Sequence, residues 1–306
     1  MMRKNFIITI DTEGDNLWAY KQGCAITTQN SKYIPRFQNL CEKYKFKPVY
    51  LVNYEMLNDN VFVSYIRGKE QDNLCEIGLH LHAWNNPPIY ELKGPYSGNP
   101  YLIEYPEEVM RAKFDYLYQL FCEKIGHPPV SHRAGRWAMD ERYFKLLFEY
   151  GVKVDCSVTP HIDWSPTKGV LNGGSDYSNS PSIPHVIENI YEVPLTVLPS
   201  RKPLAQSWKQ NIYRLFRGRN LQLRPAIFSL KEMKYVINHF ANIHSVDYVE
   251  FMMHSSELMP NGSPYFADEA SIEKMYGDLD SLFKYATEKG YKGITLQEYY
   301  QKISNI

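Results

Sequence analysis

Two short stretches hold most of the chemistry available to this chain. Ile7-Ile8-Thr9-Ile10-Asp11-Thr12-Glu13 and Glu76-Ile77-Gly78-Leu79-His80-Leu81-His82 are apolar runs that end in groups able to bind a metal or move a proton. Apolar runs of this length read as buried strands. Side chains alternate along a strand, so His80 and His82 share a face, and Asp11 and Glu13 share one too. Two imidazoles and two carboxylates at strand ends compose a mononuclear metal site with a base beside it.

Strand-like and helix-like segments alternate along the chain. Strands are expected near 5–10, 48–53, 75–82, 129–134, 152–156, 190–197, 248–253 and 292–295. Helices are expected over 31–45, 54–68, 106–125, 140–150, 230–243 and 268–289. In the last, Ile272, Met275, Leu279, Leu282 and Ala286 recur at helical spacing and Gly290 is placed to end it. Up to eight strands alternating with helices predict an α/β fold, and a closed barrel of mostly parallel strands fits the count. In such a barrel the C-terminal strand ends gather around one mouth. Asp11 and Glu13, His80 and His82, His132-Arg133, Asp155 and His254 all fall at such ends.

The 306 residues suffice for one domain spanning 1–306, and 44% apolar content supplies a core. Within it, 157–189 reads as a long loop over the site, rich in Pro, Gly, Ser and Asn. The segment 201–225 reads as a basic, helical insertion: 201–224 holds Arg201, Lys202, Lys209, Arg214, Arg217, Arg219 and Arg224 and no acid. That stretch is a solvated basic face or a contact for phosphate or a membrane surface. The chain balances 34 basic against 34 acidic residues, which removes a whole-chain argument for nucleic-acid binding. No apolar run reaches the roughly 20 residues of a membrane span, and residues 1–5 show no secretory core. Five cysteines without a CxxC spacing read as reduced thiols in a cytoplasmic protein. The 25 tyrosines and 5 tryptophans include rings able to stack on sugars, although packing accounts for most of them.

The ordered pieces resemble the NodB-homology polysaccharide deacetylases of carbohydrate esterase family four. They are Thr9-Ile10-Asp11-Thr12-Glu13; Glu76 through His82; Ser131-His132-Arg133-Ala134-Gly135; Lys153-Val154-Asp155-Cys156-Ser157; and Phe251-Met252-Met253-His254-Ser255-Ser256-Glu257-Leu258. The stretches 79–88 and 253–265 are most similar to the WalW-like surface-polysaccharide subgroup, through its LHLHxWxxPP and MHSSELxPxGSPY patterns.

The resemblance implies a distorted (β/α) barrel of seven or eight mostly parallel strands. It also implies a metal-dependent hydrolase that removes acetyl from an N-acetylated saccharide, with an O-acetylated one as the second choice, in surface-polysaccharide synthesis. Glu13, His80 and His82 would hold a divalent ion, zinc being the natural choice for this donor set. Asp11 would be the base, Arg133 its partner, and His254 the acid tuned by Asp155. Trp84, Met253 and Glu257 would meet substrate. The family pattern departs here in two places. Its adjacent aspartates are replaced by Asp11 and Glu13, two apart, and its histidines spaced four apart would put Trp84 where a ligand belongs, so His82 takes that place. Asp163-Trp164 also resembles the family's Asp-Trp element and rivals Asp155. An intracellular lipid-linked or nucleotide-linked sugar is the expected substrate. The alternatives are a non-catalytic saccharide-binding protein on the same fold and an amidohydrolase of a small non-sugar amide.

Overall fold

The computed structural model describes residues 4–20, 24–205 and 207–304. The strands are β1 (Lys4–Thr12), β2 (Pro48–Val52), β3 (Glu76–Leu81), β4 (Ser131–Ala134), β5 (Val154–Asp155), β6 (His185–Ile187), β7 (Ile190–Glu192), β8 (Val197–Ser200), β9 (Arg219–Gln222), β10 (Tyr248–His254) and β11 (Tyr291–Gly293). The helices are α1 (Ile34–Lys43), α2 (Tyr54–Leu57), α3 (Asn60–Gln71), α4 (Glu107–Ile125), α5 (Glu141–Glu149), α6 (Trp208–Arg217), α7 (Leu230–His244), α8 (Glu269–Glu288) and α9 (Leu296–Ile303).

The main sheet runs β10-β1-β2-β3-β4-β5-β7-β6, with β11 also paired to β1. Every neighbour from β10 through β7 is parallel, and only β6 turns back antiparallel on β7. This is the distorted, curled (β/α) barrel the sequence predicts, except that its ladder stops short of closing. The expected strand 190–197 breaks around Pro194, which has no N–H to donate. At the gap the Thr196 hydroxyl, rather than a neighbouring backbone, accepts the Glu250 N–H at 2.8 Å. The ribbon β8-β9 continues the wall, with Leu223 bridging Phe251 of β10.

Helix ends follow their capping residues. Ser229 and Glu232 form a reciprocal capping box at α7, as do Thr295 and Glu298 at α9. Asp268 caps α8, whose buried face includes Ile272, Met275, Leu279, Leu282 and Ala286. The helix expected over 54–68 is two helices, because Asp59 accepts from the Val61 and Phe62 N–H groups and starts α3 anew. The basic insertion is α6 followed by β9. The α9 helix was not expected from the sequence.

Strand alternation sorts the interior into layers. The outer face of the sheet (Ile8, Ile10, Leu79, Leu81, Val249, Phe251, Met253) packs beneath the helices. The inner face is apolar at the bottom, where Ile7, Val49, Leu51, Val154 and Tyr248 meet Leu296 and Tyr299 of α9. Thr9, Arg133 and Glu250 form a polar middle layer. Above them, at the C-terminal strand ends, stand Asp11, Glu13, His80, His82 and His254.

Candidate active site

A cleft of about 430 Å³ opens at these strand ends. Asp11, Glu13, His80, His82 and His254 line its floor, and Trp18, Trp84, Tyr101, Trp137, Trp164 and Tyr265 form much of its wall.

Glu13, His80 and His82 converge, with their ligand atoms all within 4.8 Å of one another. His82 Nε2 lies 2.6 Å from Glu13 Oε2 and 3.1 Å from His80 Nε2, and His80 Nε2 is 3.6 Å from the same carboxylate oxygen. These separations bracket the roughly 3.3 Å between donors of a tetrahedral ion held at about 2.0–2.1 Å. His80 Nδ1 is 2.8 Å from the Arg133 carbonyl. A carbonyl only accepts, so Nδ1 carries the proton and Nε2 turns its lone pair into the site. The Glu13 backbone is pinned as well: Asn30 Nδ2 donates to its carbonyl at 2.8 Å, and its N–H donates to Ser255 Oγ at 3.1 Å. Gly135 lies against His82, where a Cβ would come within 2.7 Å of Nδ1 and 2.4 Å of the Leu81 carbonyl. The donor chemistry, the tautomer of His80 and the space beside His82 all fit a divalent ion.

Burial alone would push the Glu13 carboxyl up, but the His82 imidazole, by its charge and its hydrogen bond, leads the groups that hold it far below its ordinary value. Asp11 behaves alike: burial opposes ionisation, and Arg133, His80 and His254 together outweigh it. The Arg133 guanidinium is fully buried. It donates to Asp11 Oδ1 at 2.7 Å, to Thr9 Oγ1 at 2.8 Å and to Glu250, and through Nε to the Cys156 carbonyl at 3.1 Å. His254 Nε2 is 3.8 Å from Asp11 Oδ2. Its Nδ1 is 3.3 Å from Glu257 Oε1, and Arg224 Nη2 stands 3.4 Å from the same nitrogen.

Three expected placements are corrected. Asp155 does not tune His254. It lies in register with His132, on the outer face of the sheet, and accepts from His132 Nδ1 at 2.6 Å while His132 Nε2 meets the Tyr143 hydroxyl. Its rival Asp163 accepts the Ser165 N–H in the loop and is not among the cleft-lining residues. Glu257 occupies the position expected for Asp155. It is wholly buried behind His254 rather than set toward substrate. Met253 is one residue out of phase with His254, so it points away from the cleft into the core beneath the helices. Trp84 does line the cleft, its ring centroid 4.2 Å from that of His82.

The sequence reading missed several lining residues. Arg136 and Trp137 follow the 131–135 motif directly and adopt positive φ values of 56° and 63°. Non-glycine residues held in this region are strained, and such strain concentrates at functional sites. Arg136 lies over the Tyr101 ring at 3.9 Å, and Tyr177 donates its hydroxyl to the Trp137 carbonyl. Trp18 sets its ring edge-on to His254 at 4.9 Å and donates to Ser256 Oγ. Their position after a strand end was the available signal for Arg136 and Trp137. Tyr265 closes the 253–265 stretch, whereas no spacing rule marks Trp18 or Tyr101.

No protein-family model matches the chain, and no curated protein matches it. Among solved structures it is similar to the 4-alpha-glucanotransferase from Thermococcus litoralis, with TM-score 0.58 and 15% identity over 99% of this chain and 41% of that one. It is also similar to a "putative polysaccharide deacetylase" from Mycobacterium smegmatis, with TM-score 0.52 and 14% identity over 99% of this chain and 91% of that one. This chain thus spans about two fifths of the glucanotransferase. At these identities the likeness is one of fold, and a fold hosts many chemistries.

Proposed function

We propose that this chain is a metal-dependent deacetylase that hydrolyses the acetamide of an N-acetylated saccharide. The observation that carries the reading is the convergence of Glu13, His80 and His82 beside a carboxylate held ionised by Arg133 and an imidazole on the neighbouring strand. Bound by those three residues, a divalent ion of the zinc type supplies an acidified water and polarises the acyl carbonyl.

The protein's groups supply the rest. Asp11 stays ionised near neutral pH and accepts the proton of the attacking water. Arg133 holds that carboxylate in place from below. His254 Nε2 faces the same space and delivers a proton to the departing amine, while Glu257 orients the ring through Nδ1. The amide C–N bond breaks and a C–O bond forms, releasing acetate and an amino sugar. Aromatic walls at Trp18, Trp84, Trp137 and Trp164 offer faces for sugar rings.

The glucanotransferase likeness raises glycosyl transfer as a competing chemistry. That chemistry works with a pair of carboxyl groups flanking the bond, whereas this cleft floor brings one carboxylate and two imidazoles together with ligand atoms within 4.8 Å of one another, which favours the hydrolytic reading. The 79–88 and 253–265 stretches support a surface-polysaccharide substrate, and a lipid-linked or nucleotide-linked sugar inside the cell is the form proposed. Among the described residues no helix is long and apolar enough to cross a membrane.

The test is acetate release from N-acetylated oligosaccharides by protein loaded with zinc, with O-acetylated xylan and cyclic imides alongside. Acetate from the first substrate supports the reading. Saccharide binding without acetate release would replace it with a non-catalytic role, and turnover of imides alone would replace it with an amidohydrolase.

A further inference from the structure

The α6 helix is exposed along nearly its whole length. At about 100° per residue, Leu215, Trp208, Ile212 and Phe216 fall within an arc of about 100°. Arg214 lies roughly opposite that arc, and it is the residue that docks the helix, through an ion pair to Glu232 at 2.6 Å. Asn211 adds a clasp to the Ala205 backbone. The apolar stripe therefore points away from the protein body, leaving Trp208 67% and Phe216 77% exposed. A helix anchored by its polar side with its apolar side outward is the reverse of ordinary core packing.

Charge selects the occupant. Lys209 borders the stripe, Arg201, Lys202 and Arg217 add exposed positive charge on the same segment, and no acid occurs between 201 and 224. Two copies meeting through this stripe would set cation against cation. An anionic lipid surface satisfies both features: it takes Trp, Leu, Ile and Phe into the acyl boundary and attracts the basic flank. The segment also leads to the cleft, since β9 follows α6 directly and Arg224 and Ile227 line the cleft beyond it.

We propose that α6 is an interfacial helix that seats this protein on an anionic membrane, with the cleft mouth near the lipid headgroups. The proposal goes beyond the hydrolytic reading and does not depend on it.

The test is flotation of the full chain with phosphatidylcholine vesicles, with and without phosphatidylglycerol, at low and high salt. Wild-type protein should float with the anionic vesicles, stay behind with neutral ones and be released by salt. Leu215→Glu with Phe216→Glu should weaken flotation by about tenfold or more, as should Lys209→Glu with Arg217→Glu. Both variants keep Arg214 and Glu232, and their melting temperatures report whether they fold. If the apolar variant fails to fold, the basic variant and the wild-type salt response decide alone. Failure of wild-type protein to float, equal binding to neutral vesicles, or a wild-type dimer that Leu215→Glu with Phe216→Glu dissociates would each overturn the proposal, the last by showing that a second copy covers the stripe.

Discussion

Asp11 and His254 are register partners on the adjacent parallel strands β1 and β10, with Oδ2 and Nε2 3.8 Å apart. In the proposed reaction Asp11 takes the proton of the attacking water and His254 gives one to the departing amine, so the pair would flank a single acyl carbon. Asp11→Asn is expected to lower turnover by about 10²–10⁴ while leaving the bound metal in place, because Asp11 is not one of the three converging donors. Acetate-release kinetics and elemental analysis on the same sample check this. Loss of metal along with activity would make Asp11 a ligand instead.

Gly135 packs directly against His82, one of the three donors of the proposed metal site. A methyl group there would crowd both the Leu81 carbonyl and the His82 ring. Gly135→Ala should therefore weaken zinc affinity by about 10–100-fold, the range for losing a ligand's support. It should also destabilise the fold by about 1–3 kcal/mol through overpacking. Competition against a chelator measures the first effect and thermal unfolding the second.

Two carboxylate–imidazole pairs, Glu257–His254 and Asp155–His132, separate function from stability. Glu257→Gln disturbs the ring that faces the cleft and should lower kcat by about 10–100-fold, with a shifted pH profile and little change in melting. Asp155→Ala breaks the buried pair with His132 and should cost about 3–5 kcal/mol of stability, with the pH profile of the remaining activity unchanged. The opposite pattern would return Asp155 to the active site.

Lys113 offers a test by pH. Its ammonium is buried, donates to the Asn86 and Pro88 carbonyls at 2.8 and 2.7 Å, and is lowered by burial from 10.5 to about 8. A base whose pKa falls on folding binds fewer protons folded than unfolded between those values, so its contribution to stability rises with pH from 8 to 10.5. Relative to Lys113→Met, wild-type protein should gain about 1–2 kcal/mol across that window. Denaturant titrations at both ends measure the difference, and a flat difference would refute the assignment.

The strand ends were legible because alternation is a strong rule. It places His80 with His82 and Asp11 with Glu13 from sequence alone, and the structure sets all four on the inner face. The same rule, applied to β10, excludes Met253 once His254 faces inward. Asp155 was misplaced because parallel register is invisible in one sequence: it is His132, not Arg133, that pairs with it. The α9 helix escaped notice because an eight-residue segment with two buried apolar side chains, Leu296 and Tyr299, gives little periodic signal. The aromatic wall comes from loops, where no period exists to read.

Both imidazoles of the proposed metal site sit on β3 or on the first residue beyond it, so the loop from 83 to 101 supplies none of the three converging donors although Trp84, Asn99 and Tyr101 of that loop edge the cleft. On the proposed reading, chemistry and selectivity would be housed in separable parts: mutations in that loop would be free to change the glycan accepted while the donors held by the sheet stay as they are.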